Sequence, residues 1–107
     1  LEYHGDSLIP LGCGEIAYFM SEDVATLLVT HEGKKFCVSE TLDTLENELD
    51  PRLFCRANRQ FILSLQSIHK ISNYGQQKLK VSIKPDIPED IIISKLKATQ
   101  FKKWLNR

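Results

Sequence analysis

The stretch FCRANRQFILSL, residues 54–65, decides how the chain is read. Its second half is an apolar run too short for a helix, of the kind a buried strand uses. Its first half sets Arg56 and Arg59 three residues apart at the mouth of that run. Fixed positive charge beside a buried strand is costly unless something negative meets it. One candidate is the acidic segment 40–50, which ends a few residues earlier. The other is an external partner, because a guanidinium fork clamps phosphate or reads the O6/N7 edge of guanine bidentately. Asn58, between the two arginines, tolerates turn conformations. Arg59 shares strand parity with Phe61, Leu63 and Leu65, so it projects outward only if regular pairing begins after Asn58.

On either side of this stretch the pattern is that of short strands. SLIPL (7–11) carries Pro10 and suits an edge strand. GCGE follows as a turn, then IAYFM (16–20), a polar SED turn (21–23) and ATLLVTH (25–31). EGKK (32–35) makes a hairpin turn into FCV (36–38). SIHKI (67–71), a SNYGQQ turn and KLKVSIK (78–84) come later. In the last of these Leu79, Val81 and Ile83 alternate with Lys78, Lys80, Ser82 and Lys84, which predicts one buried and one wet face. PDIPED reads as a loop, and EDIIIS (89–94) as a buried strand or the approach to a helix.

The period changes twice. Leu42, Leu45 and Leu49 make one apolar stripe, which predicts a helix near 41–49, capped by Ser39 or Thr41 and stopped by Pro51. Ala98, Phe101 and Leu105, with Trp104 beside them, predict a second helix near 95–106, whose last turns hold Lys102, Lys103 and Arg107. Seven or more consecutive strands and two helices make a mainly β, antiparallel domain, not a βαβ enzyme fold. A helix-turn-helix is excluded because no two helices are adjacent.

The length of 107 residues fits one domain. A chain that starts at Leu1 reads as a fragment of a longer one, and LEYHGDSLIP does not read as a signal peptide. No apolar run is long enough to span a membrane. Cys13, Cys37 and Cys55 are odd in number and form no CxxC. They are expected to be small buried hydrophobes in a reducing, cytoplasmic setting. His4, His31 and His69 are far apart, and no HExxH, GxSxG, P-loop or GxGxxG occurs, so neither an enzyme nor a metal or cofactor is expected.

The net charge is zero, but it is divided. Residues 1–50 carry Lys34 and Lys35 against eleven acids, a balance of −9. Residues 51–107 carry twelve Lys and Arg against Asp86, Glu89 and Asp90, a balance of +9. The division fits either a basic binding face or two halves that attract each other.

The succession IAYF, SED, T-x-L-V-T-x-x-GKK, TLDTLENELDP and FCRANRQFILSLQSI resembles the LytTR DNA-binding domain, in order from about Asp6 to Leu105. Its most specific part is F-x-R-x-x-R-x-[FY]-[IL]-[VL], followed by the spacing of Ile68 and Ile71. IIISKLKATQFKKWL resembles the family's V-S-R segment and closing helix. The resemblance implies an elongated fold of small antiparallel sheets whose loops, not a recognition helix, enter successive major grooves. It implies the output domain of a bacterial two-component response regulator, joined to an N-terminal receiver domain. Such a domain controls transcription on double-stranded DNA at repeated promoter elements, and a dimer on DNA is left open.

The family reads bases from three places: the loop around Ser21–Thr26, the position matched by Arg59, and the Arg of the V-S-R segment, matched here by Lys95. Gln60 and Lys97 are then expected at phosphate, and Arg56 either at the DNA backbone or tying down the acidic helix. Two departures stand out. Lys95 replaces a guanidinium fork by a point charge, and SEDVAT brings two acids and Val24 to the first contact loop. The alternative reading is a protein-interaction domain of the same fold with little DNA affinity.

Overall fold

A computed structural model of the protein describes residues 2–4 and 8–10 as backbone and residues 12–106 in full. Ten strands and two α-helices form among the described residues, and every strand pair is antiparallel. The strands are β1 (Glu2–His4), β2 (Leu8–Pro10), β3 (Ile16–Glu22), β4 (Ala25–Thr30), β5 (Lys35–Val38), β6 (Phe54–Arg56), β7 (Phe61–Ser64), β8 (Ile68–Asn73), β9 (Leu79–Ile83) and β10 (Ile91–Ile93). The helices are α1 (Leu42–Glu48) and α2 (Lys95–Leu105). They make three sheets: β1-β2, β5-β4-β3-β7-β6 and β10-β9-β8. The molecule is elongated, 43 × 28 × 24 Å.

The five-stranded sheet is a partition between two apolar cores. On one face Ile16, Phe19, Leu28, Phe54 and Ile62 meet the α1 stripe of Leu42, Leu45 and Leu49. On the other, Tyr18, Met20, Val29, Phe61 and Leu63 meet Leu79, Val81, Ile83, Ile91 and Ile93 of the small sheet, with Ala98 and Phe101 of α2. Strand alternation sends Phe61 and Leu63 to one side and Ile62 to the other, so an unbroken apolar run is what this strand requires. A register shift between Ile16 and Tyr18 inserts one extra residue, which lets the successive residues Ala17 and Tyr18 face the same core. Burial raises the pKa of the Tyr18 hydroxyl, helped by the nearby charges of Glu89 and Asp86. That hydroxyl donates to the Pro85 carbonyl at 3.3 Å.

Most elements fall where the residue pattern places them, including the buried Leu79, Val81 and Ile83 alternation. β2 lies in the expected edge position, although Ser7 and Leu11 are outside the described residues. Three expectations need correction. β1 is a strand the pattern does not mark, because Glu2–His4 carries one large apolar residue and no apolar run. β7 ends at Ser64: Leu65 begins a 3-10 turn, is 40% exposed, and is not part of the buried strand. The cysteines are not core residues. Cys13 and Cys55 are half-buried and Cys37 is exposed, since Phe36 and Val38 take the inward face of β5.

Candidate nucleic-acid interface

Three loops meet at one end of the partition. The first is the β3–β4 hairpin, whose tip is Asp23–Val24; Asp23 takes the left-handed conformation (φ 55°) that closes a two-residue turn, and Val24 is wholly exposed. The second is the β6–β7 turn, Ala57–Gln60. The third is the junction between β10 and α2 at Ser94. Backbone and side-chain bonds tie them together. Ser21 N–H donates to the Gln60 carbonyl at 2.9 Å, joining the first loop to the second. Asn58 Nδ2 donates to the Ile92 carbonyl at 3.2 Å, joining the second to the third.

The β6–β7 turn is held from within as well. Ala57 N–H donates to the Phe61 carbonyl at 3.0 Å, and Gln60 N–H donates to Asn58 Oδ1 at 2.8 Å, an Asx turn. The turn divides the stretch into two paired strands: β6 ends at Arg56 and β7 pairs regularly from Phe61, after Asn58 as its inward parity requires, although the residue pattern does not separate β6 as a strand of its own. Arg59 escapes the inward parity of Phe61 and projects into solvent.

The two arginines have different fates. The Arg56 side chain is only 12% exposed. Its Nη1 donates to Asp43 Oδ1 at 3.0 Å and Glu46 Oε1 at 2.9 Å, both on α1. Its Nε donates to the Asn58 carbonyl at 2.7 Å and its Nη2 to the Arg59 carbonyl at 3.0 Å. Four of its five N–H donors are thus engaged within the chain. Of the two roles expected for Arg56, the structure contains the tie to the acidic helix. Among the described residues, the Arg59 side chain has no hydrogen-bond or ion-pair partner.

Arg59 stands over a groove of about 380 Å³ lined with Asn58, Lys78, Ser94 and Lys97. Lys78 also lines an adjoining groove of about 540 Å³, with Lys95, Thr99 and Lys102 on its α2 side. The basic surface is therefore continuous from Arg59 across Lys78 to Lys102. Lys97 shares a groove with Arg59, whereas Lys95, on the opposite face of α2, lines the neighbouring one; Gln60 is exposed beside Arg59. Lys78 and Lys102 join the expected residues Arg59, Lys95 and Lys97 along these grooves. Lys95, Thr99 and Lys102 recur at helical spacing on one face of α2, the one signal that could have revealed Lys102.

The start of α2 adds positive potential. Its first turn holds Lys95 and Lys97 with no acid, and the Ser94 side chain makes no capping hydrogen bond. The free N–H groups and the helix dipole favour an anion there. Opposing this, Glu22 and Asp23 are exposed on the hairpin beside Gln60. Among the described residues no cluster of His, Cys, Asp or Glu could hold a metal, and no helix is long and apolar enough to cross a membrane.

A β-rich domain presenting loops and a basic groove instead of a recognition helix is the architecture of one class of DNA-binding module. The model of the LytTr DNA-binding domain family matches residues 6–106, and the chain belongs to that family. Its fold is similar to that of the LytTr DNA-binding domain of a protein described as a methyl-accepting/DNA response regulator from Bacillus cereus. The TM-score is 0.80 at 22% identity, over 100% of this chain and 96% of the other. No curated protein matches the chain.

Proposed function

We propose that the chain is the output domain of a bacterial two-component response regulator, cytoplasmic and without enzymatic activity. It binds double-stranded DNA at repeated promoter elements and so controls transcription, with a receiver domain as its N-terminal neighbour. The observation that carries this reading is Arg59: a guanidinium without a partner among the described residues, on a turn tied to its neighbours, at the end of a basic groove. In this reading Arg59 makes the main base contact, and Lys95 reaches a second base edge as a point charge. Gln60 and Lys97 sit at phosphate, and the uncapped start of α2 lies along the same backbone. Arg56, four of its five donors occupied, supports the turn from behind.

A second reading has one observation in its favour. Glu22, Asp23 and the exposed Val24 occupy the hairpin that would approach DNA first. That tip suits a protein partner, and the domain would then have little DNA affinity.

Selection from a random duplex library, followed by a salt titration on the winner, separates the two. DNA reading predicts an enriched repeat and a log K that falls linearly with log salt, roughly −0.9 per phosphate neutralised. Failure to enrich any sequence supports the protein-interaction domain.

A further inference from the structure

Two carboxylates face the rear of the Arg59 turn, where a DNA-binding protein would be expected to avoid negative charge. We propose that Asp43 and Glu46 of α1 are positioning residues for DNA reading, acting through Arg56 on the backbone that carries Arg59. The inference rests on the DNA-binding reading and deepens it.

The chain of contacts is short. Asp43 and Glu46 both accept from Arg56 Nη1, which leaves Nε and Nη2 aimed at the carbonyls of Asn58 and Arg59. A guanidinium is planar and rigid, so fixing one edge fixes the other. The two carbonyls it holds belong to the residue that forms the Asx turn and to the residue that projects into the groove. α1 is itself seated through Leu42, Leu45 and Leu49 on the five-stranded sheet, the same sheet that carries β6 and β7. The acids therefore transmit the rigidity of the core to a loop that has no buried side chain at Arg59. Without them Arg56 is a mostly buried charge with half its partners gone, and it would turn toward water.

This inverts the ordinary electrostatic expectation. Removing negative charge from a DNA-binding domain should strengthen binding to any duplex. Here Asp43→Asn together with Glu46→Gln should weaken the selected site while random DNA is bound unchanged or slightly more tightly. The ratio of specific to random affinity should fall at least about fivefold, part of the discrimination one base contact supplies. Glu48→Gln makes the same kind of charge change on the same helix away from Arg56, and should leave the ratio alone. Arg56→Lys keeps the charge but loses the fork, and should behave like the double acid variant. In both, the salt slope should stay that of the parent; a direct phosphate contact by Arg56 would instead lower it by about 1 in Arg56→Ala.

A second readout needs no DNA. Hydrogen exchange at the Gln60 amide, which closes the Asx turn, should accelerate in the double variant and in Arg56→Lys but not in Glu48→Gln. Melting curves identify any variant that has lost its fold, and Arg56→Lys then carries the test. If the parent selects no sequence but the Gln60 amide still loses protection, the DNA reading fails and the clamp stands. If the parent selects a sequence and the double variant retains both its selectivity and its Gln60 protection, the positioning role is overturned.

Discussion

The two helices lie on opposite faces of one sheet and treat their N-termini in opposite ways. α1 follows the rules of a stable helix: Thr41 accepts from the Thr44 amide at 3.2 Å, Asp43 sits in the first turn, and Leu42 and Leu45 are buried. α2 breaks the same rules at the same place, with Ser94 uncapped and Lys95 and Lys97 in the first turn. Its burial, through Ala98 and Phe101, is sound. A local rule broken on a well-packed element marks a place that serves something other than stability. α1 supports the fold and holds Arg56 through Asp43 and Glu46; the start of α2 leaves its helix dipole unopposed.

The largest effects test whether both helices are equally part of the fold. Phe101→Ala should cost about 3–5 kcal/mol and Leu45→Ala about 2–5 kcal/mol, measured by chemical denaturation. A cost under about 1 kcal/mol at either site would mean that helix is not seated as described.

The lysines come next, since they oppose fold and function in a single side chain. Lys97→Ala should weaken all duplexes alike and lower the salt slope by about 1, while Lys95→Ala should weaken the selected site more than random DNA. Both should raise stability, by about 0.3–1 kcal/mol at low salt, as a cation leaves the positive end of a helix. Equal losses on selected and random DNA for Lys95→Ala would make it a phosphate contact.

The caps give the smallest and cleanest contrast. Thr41→Ala should cost about 1 kcal/mol, whereas Ser94→Ala should change stability by no more than a few tenths of a kcal/mol, and both should leave DNA binding intact because the backbone N–H groups at the start of α2 remain. Thermal melting beside a binding isotherm checks both; a full cap penalty at Ser94 would remove the contrast.

The fold was legible wherever a period ran for five residues or more. The leucine stripe of α1, the alternation in β9 and the apolar run of β7 each point to the element found. Three-residue β1 falls below that threshold, and the apolar type of Leu65 does not reveal that β7 ends at Ser64 and a 3-10 turn begins. For Cys37 residue type says hydrophobe, while its face of β5 is set by Phe36 and Val38. At the site, the resemblance pointed to Arg59 as the base reader, while the residues left open whether Arg56 met the DNA backbone or the acidic helix. That choice depends on α1 docking where Asp43 and Glu46, 13 and 10 residues from Arg56, reach it. Lys78 looked like one of several solvated lysines until the β8–β9 hairpin brought it beside Arg59 and Lys97.

The central claim is that Arg59 reads a base while Arg56 holds the turn, and Arg59→Ala tests it most directly. A binding-site selection profile and a melting curve should be measured on the same protein. The account predicts relaxed preference at one base position per site, worth roughly 1–3 kcal/mol of discrimination. It predicts a stability change within about 0.5 kcal/mol, since the side chain is exposed and has no partner among the described residues. An unchanged selection profile accompanied by a loss of several degrees in Tm would contradict it, and would make Arg59 a structural residue.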